Sequence, residues 1–156
     1  MKNKIIIISL FLASMLWSCN TNTKENNATQ PKQNMVSAKD ILGNPEYLAI
    51  SYGGYRQKTR DVQPTISELK DDMKLLAAMG IKLLRTYNLQ LAQAPNILKA
   101  ITELKKEDSN FEMYVMLGVW IDCKDAWTVQ EPNHDIESEA NAGEVDRAVA
   151  LAKQYP

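Results

Sequence analysis

Short apolar runs alternate with helical stripes along the chain from Tyr47 onward. Three apolar runs predict strands, at residues 47–52, 81–87 and 111–120. The first is interpreted as a buried strand that leads into a loop at Gly53. The third has the near-continuous apolar character of a parallel strand that is covered on both faces.

Helical stripes follow these strands. Thr65 and Glu68 have the spacing of a capping box, and the apolar stripe after them predicts a helix that stops at about Met79. Gly80 stands where a left-handed C-terminal cap is wanted. Two more helices are predicted on the same grounds, the second after a long polar loop, at residues 94–106 and 142–154.

Strand and helix alternate at intervals of roughly 33 residues, which is the repeat of a parallel α/β fold. A barrel and a doubly wound sheet both have this repeat. The first strand is not followed by Gly-x-Gly-x-x-Gly, which argues against a dinucleotide-binding sheet but leaves flavodoxin-like sheets open. A complete barrel takes about 250 residues, so three strand–helix units predict an incomplete one.

The first residues have the organisation of an export signal. Met1–Lys4 is basic, and the apolar run Ile5–Trp17 is shorter than the roughly 20 residues that span a bilayer, so a permanent transmembrane helix is the weaker alternative. Leu16-Trp17-Ser18-Cys19 resembles the lipobox of bacterial lipoproteins, in which the cysteine is diacylated. We therefore expect residues 1–18 to be a signal peptide and Cys19 to anchor the protein to a membrane of the cell envelope, in the periplasm or at the cell surface.

Residues 19–37 are almost free of apolar side chains and are expected to form a disordered linker, which leaves residues 38–156 as the folded part. Cys123 is interpreted as a small buried or half-buried residue rather than a reactive thiol. The formal net charge of −1, with scattered basic residues, gives no footprint for nucleic acid. His134 has no partners at metal-ligand spacing, so no metal or other cofactor is predicted.

Polar and aromatic residues stand at the C-terminal ends of the three predicted strands, where a βα-barrel gathers its reacting groups. They are Tyr52 on the first strand, Arg85, Tyr87 and Asn88 on the second, and Trp120 and Asp122 on the third, with Asp125 as a further candidate. Aromatic rings beside hydrogen-bonding groups suit a sugar, so carbohydrate is the expected ligand class.

Each of these residues also has a structural interpretation. Arg85 could form an ion pair inside a barrel mouth, and Tyr87 and Trp120 could be core aromatics at its rim. Trp127 lies farther along, in the polar loop, and is assigned no place on this rim.

Three segments resemble glycoside hydrolase family 17, namely residues 50–53, 79–88 and 116–120. The second is the most specific, because Gly80-Ile81-Lys82-Leu83-Leu84-Arg85-Thr86-Tyr87 is similar to the family's Gly-Ile-Lys-x-x-Arg-x-Tyr signature. The resemblance covers about residues 47–156. It implies a (β/α)8 TIM barrel that acts on β-1,3-linked glucan with retention of configuration. The expected fold is therefore the first three or so strand–helix units of such a barrel.

In that family an acid/base glutamate follows a Gly-Asn pair at the end of the fourth strand, and the nucleophile ends a much later strand. Both are expected beyond Pro156, and five glutamates of this chain are interpreted as solvated surface: Glu112, Glu131, Glu137, Glu139 and Glu144. Retaining hydrolysis needs two carboxyl groups about 5 to 5.5 Å apart, so the chain alone is expected to be inactive.

The expected function is that of the N-terminal part of an exported lipoprotein glycosidase, with β-glucan or another polysaccharide as its substrate. A β-glucan transglycosylase is the alternative among enzymes. A non-catalytic, glycan-binding surface lipoprotein is the alternative outside them.

Overall fold

The computed structural model describes residues 36–156, so the predicted signal peptide, Cys19 and nearly all of the linker lie outside the described residues. Four helices and five strands follow one another in these bounds: α1 Ala38–Ile41, β1 Leu48–Ser51, α2 Ile66–Ala78, β2 Ile81–Arg85, α3 Gln93–Glu107, β3 Tyr114–Met116, β4 Cys123–Lys124, β5 Asn133–Glu137 and α4 Glu144–Gln154.

The helix α2 begins and ends where its sequence signals predict. The Thr65 hydroxyl accepts a hydrogen bond from the Glu68 backbone N–H at 3.2 Å, and the Glu68 carboxylate accepts from the Thr65 N–H at 2.8 Å. This reciprocal capping box satisfies two backbone donors that a helix start leaves unpaired. At the other end Gly80 has φ +82°, a conformation that costs glycine little, and the chain turns there directly into β2.

The strands β1, β2 and β3 form a parallel sheet in which each strand lies beside the next one along the chain. Ile50, Leu84 and Val115 stand in register across the three strands and therefore share one face. The crossover helices α2 and α3 pack against each other and against this face, so both lie on the same side of the sheet. The described units therefore contain no reversal of strand order of the kind that defines a doubly wound sheet.

The hydrophobic core lies between these two helices and the sheet. Its buried members come from α2, β2 and α3 and from the turn before β3: Leu69, Met73, Leu84, Ile97, Ala100, Ile101, Leu104 and Met113. Burying a leucine or methionine of this kind contributes about 1.5 to 3 kcal/mol. The core therefore fixes the position of β2 and, through it, the ends of the neighbouring strands.

The burial predicted for the first and third strands is wrong. Every residue of β1 is exposed, with Leu48 at 51% and Ile50 at 39%, and the third strand is ordered as a strand over only three residues, of which Met116 is exposed. The physical reason is that β1 and β3 are the two edges of the described sheet. Within residues 36–156 no layer covers the face opposite the helices.

The region predicted to be one long polar loop contains an antiparallel hairpin. The strands β4 and β5 pair, with Cys123 opposite Glu137 and Lys124 opposite Asn133. A 3₁₀ turn at Glu139–Asn141 then leads into α4. Cys123 is half-buried in β4, as expected. None of the helices in residues 36–156 combines the length and the apolar character needed to cross a membrane.

Candidate functional site

The backbones of the three parallel strands stay paired just beyond their ends. The Tyr52 N–H donates to the Arg85 carbonyl at 3.0 Å, and the Thr86 N–H donates to the Met116 carbonyl at 3.1 Å. The Gly118 N–H then donates to the Thr86 hydroxyl at 2.9 Å. Because the strands are parallel, the segments that follow them all leave the sheet at the C-terminal ends of the strands. This end of the sheet is called the rim below.

Gly118 is required where the second and third strands leave the sheet. A Cβ atom at this position would lie 2.7 Å from the Tyr87 carbonyl oxygen and closer still to that of Thr86. Both contacts are with backbone, which cannot move aside as a flexible side chain could. The absence of a side chain at Gly118 therefore allows the chains that carry Tyr87 and Trp120 to approach each other.

At the end of β2 the predicted site residues lie together. The exposed Arg85 places its guanidinium carbon 5.9 Å from the centroid of the half-buried Tyr87 ring, within the range of a cation–π interaction. The Asn88 carboxamide oxygen accepts from the Leu91 N–H at 3.3 Å and so shapes the turn toward α3. The described contact of Arg85 is thus with an aromatic ring, which leaves guanidinium donors for a ligand.

Tyr52 points toward the helices. Its hydroxyl donates to the Asp72 carboxylate on α2, and its ring packs against the core. Asp72 also accepts a hydrogen bond from the Arg56 guanidinium at 2.7 Å. Burial, together with the neighbouring carboxylate, raises the pKa of the Tyr52 phenol well above its ordinary value. Tyr52 therefore stays neutral and fixes the chain after β1 to α2.

At the end of the third strand, two tryptophans and one aspartate form a cluster. The Trp120 indole N–H donates to the Asp122 carboxylate at 2.7 Å, and the Trp127 indole N–H donates to the other oxygen of the same group at 3.2 Å. The ring centroids lie 6.4 Å apart with a 45° angle between the planes. Trp120 and Trp127 are called the tryptophan pair below. Trp127, to which the sequence assigned no place on the rim, thus lies beside Trp120.

Asp122 is held from behind through its backbone. The buried Asn141 carboxamide accepts from the Asp122 N–H at 2.9 Å and donates to the Asp122 carbonyl at 2.8 Å. The Ser138 N–H donates to the same carbonyl at 3.0 Å. These bonds close the base of the β4–β5 hairpin and fix the backbone from which the Asp122 side chain projects.

Glu144, at the first position of α4, is completely buried, so its interpretation as solvated surface is wrong. One carboxylate oxygen accepts from the Leu89 N–H at 2.7 Å and from the Trp120 N–H at 3.4 Å. The other accepts from the Arg147 guanidinium at 2.6 Å. The carboxylate therefore joins the loops that follow β2 and β3. The exposed Glu131, Glu137 and Glu139 agree with the surface interpretation, and the half-buried Glu112 pairs with Lys82 at 2.7 Å.

Burial alone would raise the pKa of the Glu144 carboxyl. The hydrogen bonds from Arg147, Leu89 and Trp120 outweigh burial and hold the pKa below its ordinary value. A carboxylate with all of its acceptors occupied and a lowered pKa is a poor proton donor at neutral pH. Glu144 is therefore suited to fixing the rim rather than to acid catalysis.

Gln93 holds the loop that follows β1 in place by side-chain hydrogen bonds, as Glu144 holds the loops that follow β2 and β3. It is buried at the first position of α3, and its side-chain amide donates to the carbonyls of Tyr52 and Gly53 at 2.9 and 2.7 Å. Gln93 and Asn141 were not predicted as functional residues, and Glu144 and Trp127 were given no role at the rim, because each acts on residues far away in the chain or on an irregular loop. A polar residue at the first turn of a helix that follows a strand is the signal that could have pointed to Gln93 and Glu144.

Among residues 36–156 no group of three histidine, cysteine, aspartate or glutamate side chains has the proximity needed to hold a metal ion. The described side chains at the rim include aromatic rings, the Arg85 guanidinium and the Asp122 carboxylate. This combination recognises ligands with apolar faces and hydroxyl edges.

No protein family model matches the chain, and no curated protein sequence matches it. A solved structure does: the crystal structure of an endo-laminarinase from Formosa Hel1_33_131 is 69% identical over 78% of this chain, with a TM-score of 0.73. The match covers 31% of that chain, so the present chain corresponds to about a third of the laminarinase. Over the matched part the two proteins share the same α/β arrangement of parallel strand–helix units.

Proposed function

We propose that this chain is part of a β-1,3-glucan hydrolase of the glycoside hydrolase family 17 type, and that the rim binds the glucan. The single observation that carries the proposal is the 69% identity to an endo-laminarinase, which is a β-1,3-glucanase. That identity extends over 78% of the chain.

The geometry of the rim supports a sugar polymer as the ligand. Arg85 offers hydrogen-bond donors, and the tryptophan pair offers apolar ring faces on the neighbouring strand end. Sugar units have apolar faces and a rim of hydroxyl groups, so the two chemistries complement each other. In this proposal the sheet is the first part of a (β/α)8 barrel, which is supported by the consecutive strand order and by both helices lying on one face.

The proposed reaction retains the anomeric configuration and uses two carboxyl groups about 5 to 5.5 Å apart. Glu144 is occupied by Arg147 and by two backbone donors, so we assign it no part in this pair. In the proposal the catalytic pair comes from other strands of the barrel. This chain binds and orients the glucan.

The test is the action of the full-length protein, with any residues that follow Pro156, on laminarin. We expect shorter β-1,3-linked oligosaccharides as products and no release from a β-1,4-glucan. The first product should have the β configuration when followed by proton NMR during the reaction. Products longer than the starting oligosaccharide would identify a transglycosylase instead. Binding of laminarin without any change in its length would contradict a catalytic function.

We also propose that the protein is exported and lipid-anchored through Cys19. The apolar run before Cys19 and the polar residues after it support this proposal. Replacing Cys19 with alanine should move the protein from the membrane fraction to the soluble fraction or block its processing. A wild-type protein that is found entirely in the soluble fraction would contradict the anchor.

A further inference from the structure

Trp127 lies at a position where both its exposure and its backbone conformation are unfavourable for a tryptophan. Its side chain is 83% exposed and its backbone has φ +64°, the left-handed region that bulky residues rarely adopt. Such a conformation costs of the order of 1 to 3 kcal/mol and is characteristic of ligand-binding and catalytic loops. Neither burial nor backbone geometry therefore explains a tryptophan at this position.

The exposed ring is nevertheless fixed in place. The Trp127 indole N–H is bound by Asp122, which also binds the indole N–H of Trp120. Asp122 in turn is held through its backbone by the buried Asn141. Two large rings are thus oriented in advance by one carboxylate, so little side-chain entropy remains to be lost when a ligand binds.

The ring faces and carboxylate positions that remain accessible indicate which ligand chemistry this cluster can bind. Both indole N–H groups are satisfied internally, so the rings present their faces. A carboxylate has about four acceptor positions, of which two are used here, so Asp122 can still accept from hydroxyl groups. With a 45° angle between their planes, the two faces cannot stack on one flat ring together. They can each contact one of two successive units of a flexible chain.

We propose that Trp120 and Trp127 form a subsite that binds two successive sugar units of the glucan, with Asp122 as the positioning residue for both rings. This inference rests on the proposed function and adds to it a residue of the β4–β5 hairpin, Trp127, as a determinant of affinity. The hairpin extends the binding surface beyond the ends of the parallel strands.

The test compares steady-state kinetics of the full-length protein and of Trp127→Ala on laminarin. A binding contact remote from the reacting bond raises KM and leaves kcat nearly unchanged. We expect KM to rise roughly tenfold, as for the loss of one good aromatic contact. Val129→Ala is the matched control, because Val129 is fully exposed on the same hairpin and packs against nothing.

The positioning role of Asp122 is tested by combining substitutions. Asp122→Ala keeps the backbone bonds to Asn141 and removes the carboxylate that both indole N–H groups share, so it should raise KM. Adding Trp127→Ala to Asp122→Ala should then change KM little further, because both substitutions remove the same oriented ring. Fully additive effects would show that Asp122 does not act through Trp127.

The outcomes separate the two proposals. A wild-type protein without action on laminarin overturns the proposed function and the subsite with it. An active wild type whose Trp127→Ala variant behaves like Val129→Ala overturns the subsite alone. A fall in kcat with unchanged KM would place Trp127 in the catalytic step and would also overturn the binding role.

Discussion

Different forces stabilise two regions of the molecule. The first is the helix layer, formed by α2, α3 and β2, and the second is the hairpin region, residues 117–143. In the helix layer large apolar side chains are fully buried against one another. In the hairpin region Asn141 is the one buried residue, and the chain is held by hydrogen bonds that the side chains of Asn141, Glu144 and Asp122 accept. Apolar packing therefore places the strand ends, whereas a few polar groups determine how the loops beyond those ends are arranged.

Leu84→Ala should have the largest effect, because it removes a fully buried side chain from the centre of the helix layer. We expect a loss of about 2 to 5 kcal/mol in the free energy of unfolding, measured by chemical denaturation. Leu75→Ala is the control, since Leu75 is exposed on α2 and should change stability by less than about 0.5 kcal/mol. Equal losses in the two variants would mean that the core is not where the structure places it.

Glu144→Ala should have the next largest effect. It leaves the Leu89 and Trp120 N–H groups without their acceptor, and an unsatisfied buried donor costs about 1 to 3 kcal/mol. The Arg147 side chain is 40% exposed, so water can replace its lost partner. Glu144→Gln keeps an acceptor oxygen and should lose less. Hydrogen exchange at Leu89 and Trp120 should accelerate in the alanine variant. Unchanged exchange rates at these two amides would contradict the role of Glu144 in holding the rim loops.

The same residue predicts a pH dependence. The pKa of Glu144 is lowered in the folded protein, so in acid the unfolded chain takes up the proton first and stability falls. The contribution is complete at neutral pH and is lost as pH falls through the ordinary value of 4.5 toward the lower folded value. As pH falls below about 5, Glu144→Gln should therefore lose stability less steeply than wild type. If the stability of both proteins fell equally steeply with pH, the lowered pKa of Glu144 would not contribute to stability.

Trp120→Ala should have the smallest effect on stability and a clear effect on binding. The ring is 38% exposed, so the melting temperature should change little. Binding of a β-1,3-gluco-oligosaccharide should weaken by roughly 1 to 3 kcal/mol, measured by titration calorimetry. Val129→Ala is again the control. A variant that melts much earlier but binds normally would place Trp120 in the core rather than in the site.

The helix layer was predictable because its signals are local. Thr65, Glu68 and Gly80 mark the ends of α2 within a few residues of the positions that they control. The hairpin region was not predictable from such signals. Cys123 pairs with Glu137 without an alternating pattern, and the residues that hold the rim act across the chain.

The candidate site was predictable in part for the same reason. Arg85, Tyr87 and Trp120 follow apolar runs, so their place near the strand ends could be read from the sequence. The burial of Glu144 depends on backbone donors at Leu89 and Trp120, which only the folded chain brings to it. The orientation of Tyr52 toward Asp72 likewise depends on packing against α2.

The hairpin is closed at its base by bonds between the Asn141 side chain and the backbone of residue 122. A clamp of this kind makes no demand on the side chains between its two ends. The tip of the hairpin can therefore be exchanged, shortened or grafted without disturbing the register of the parallel strands. The hairpin tip is therefore free to diverge in sequence, or to be engineered, as an independent module.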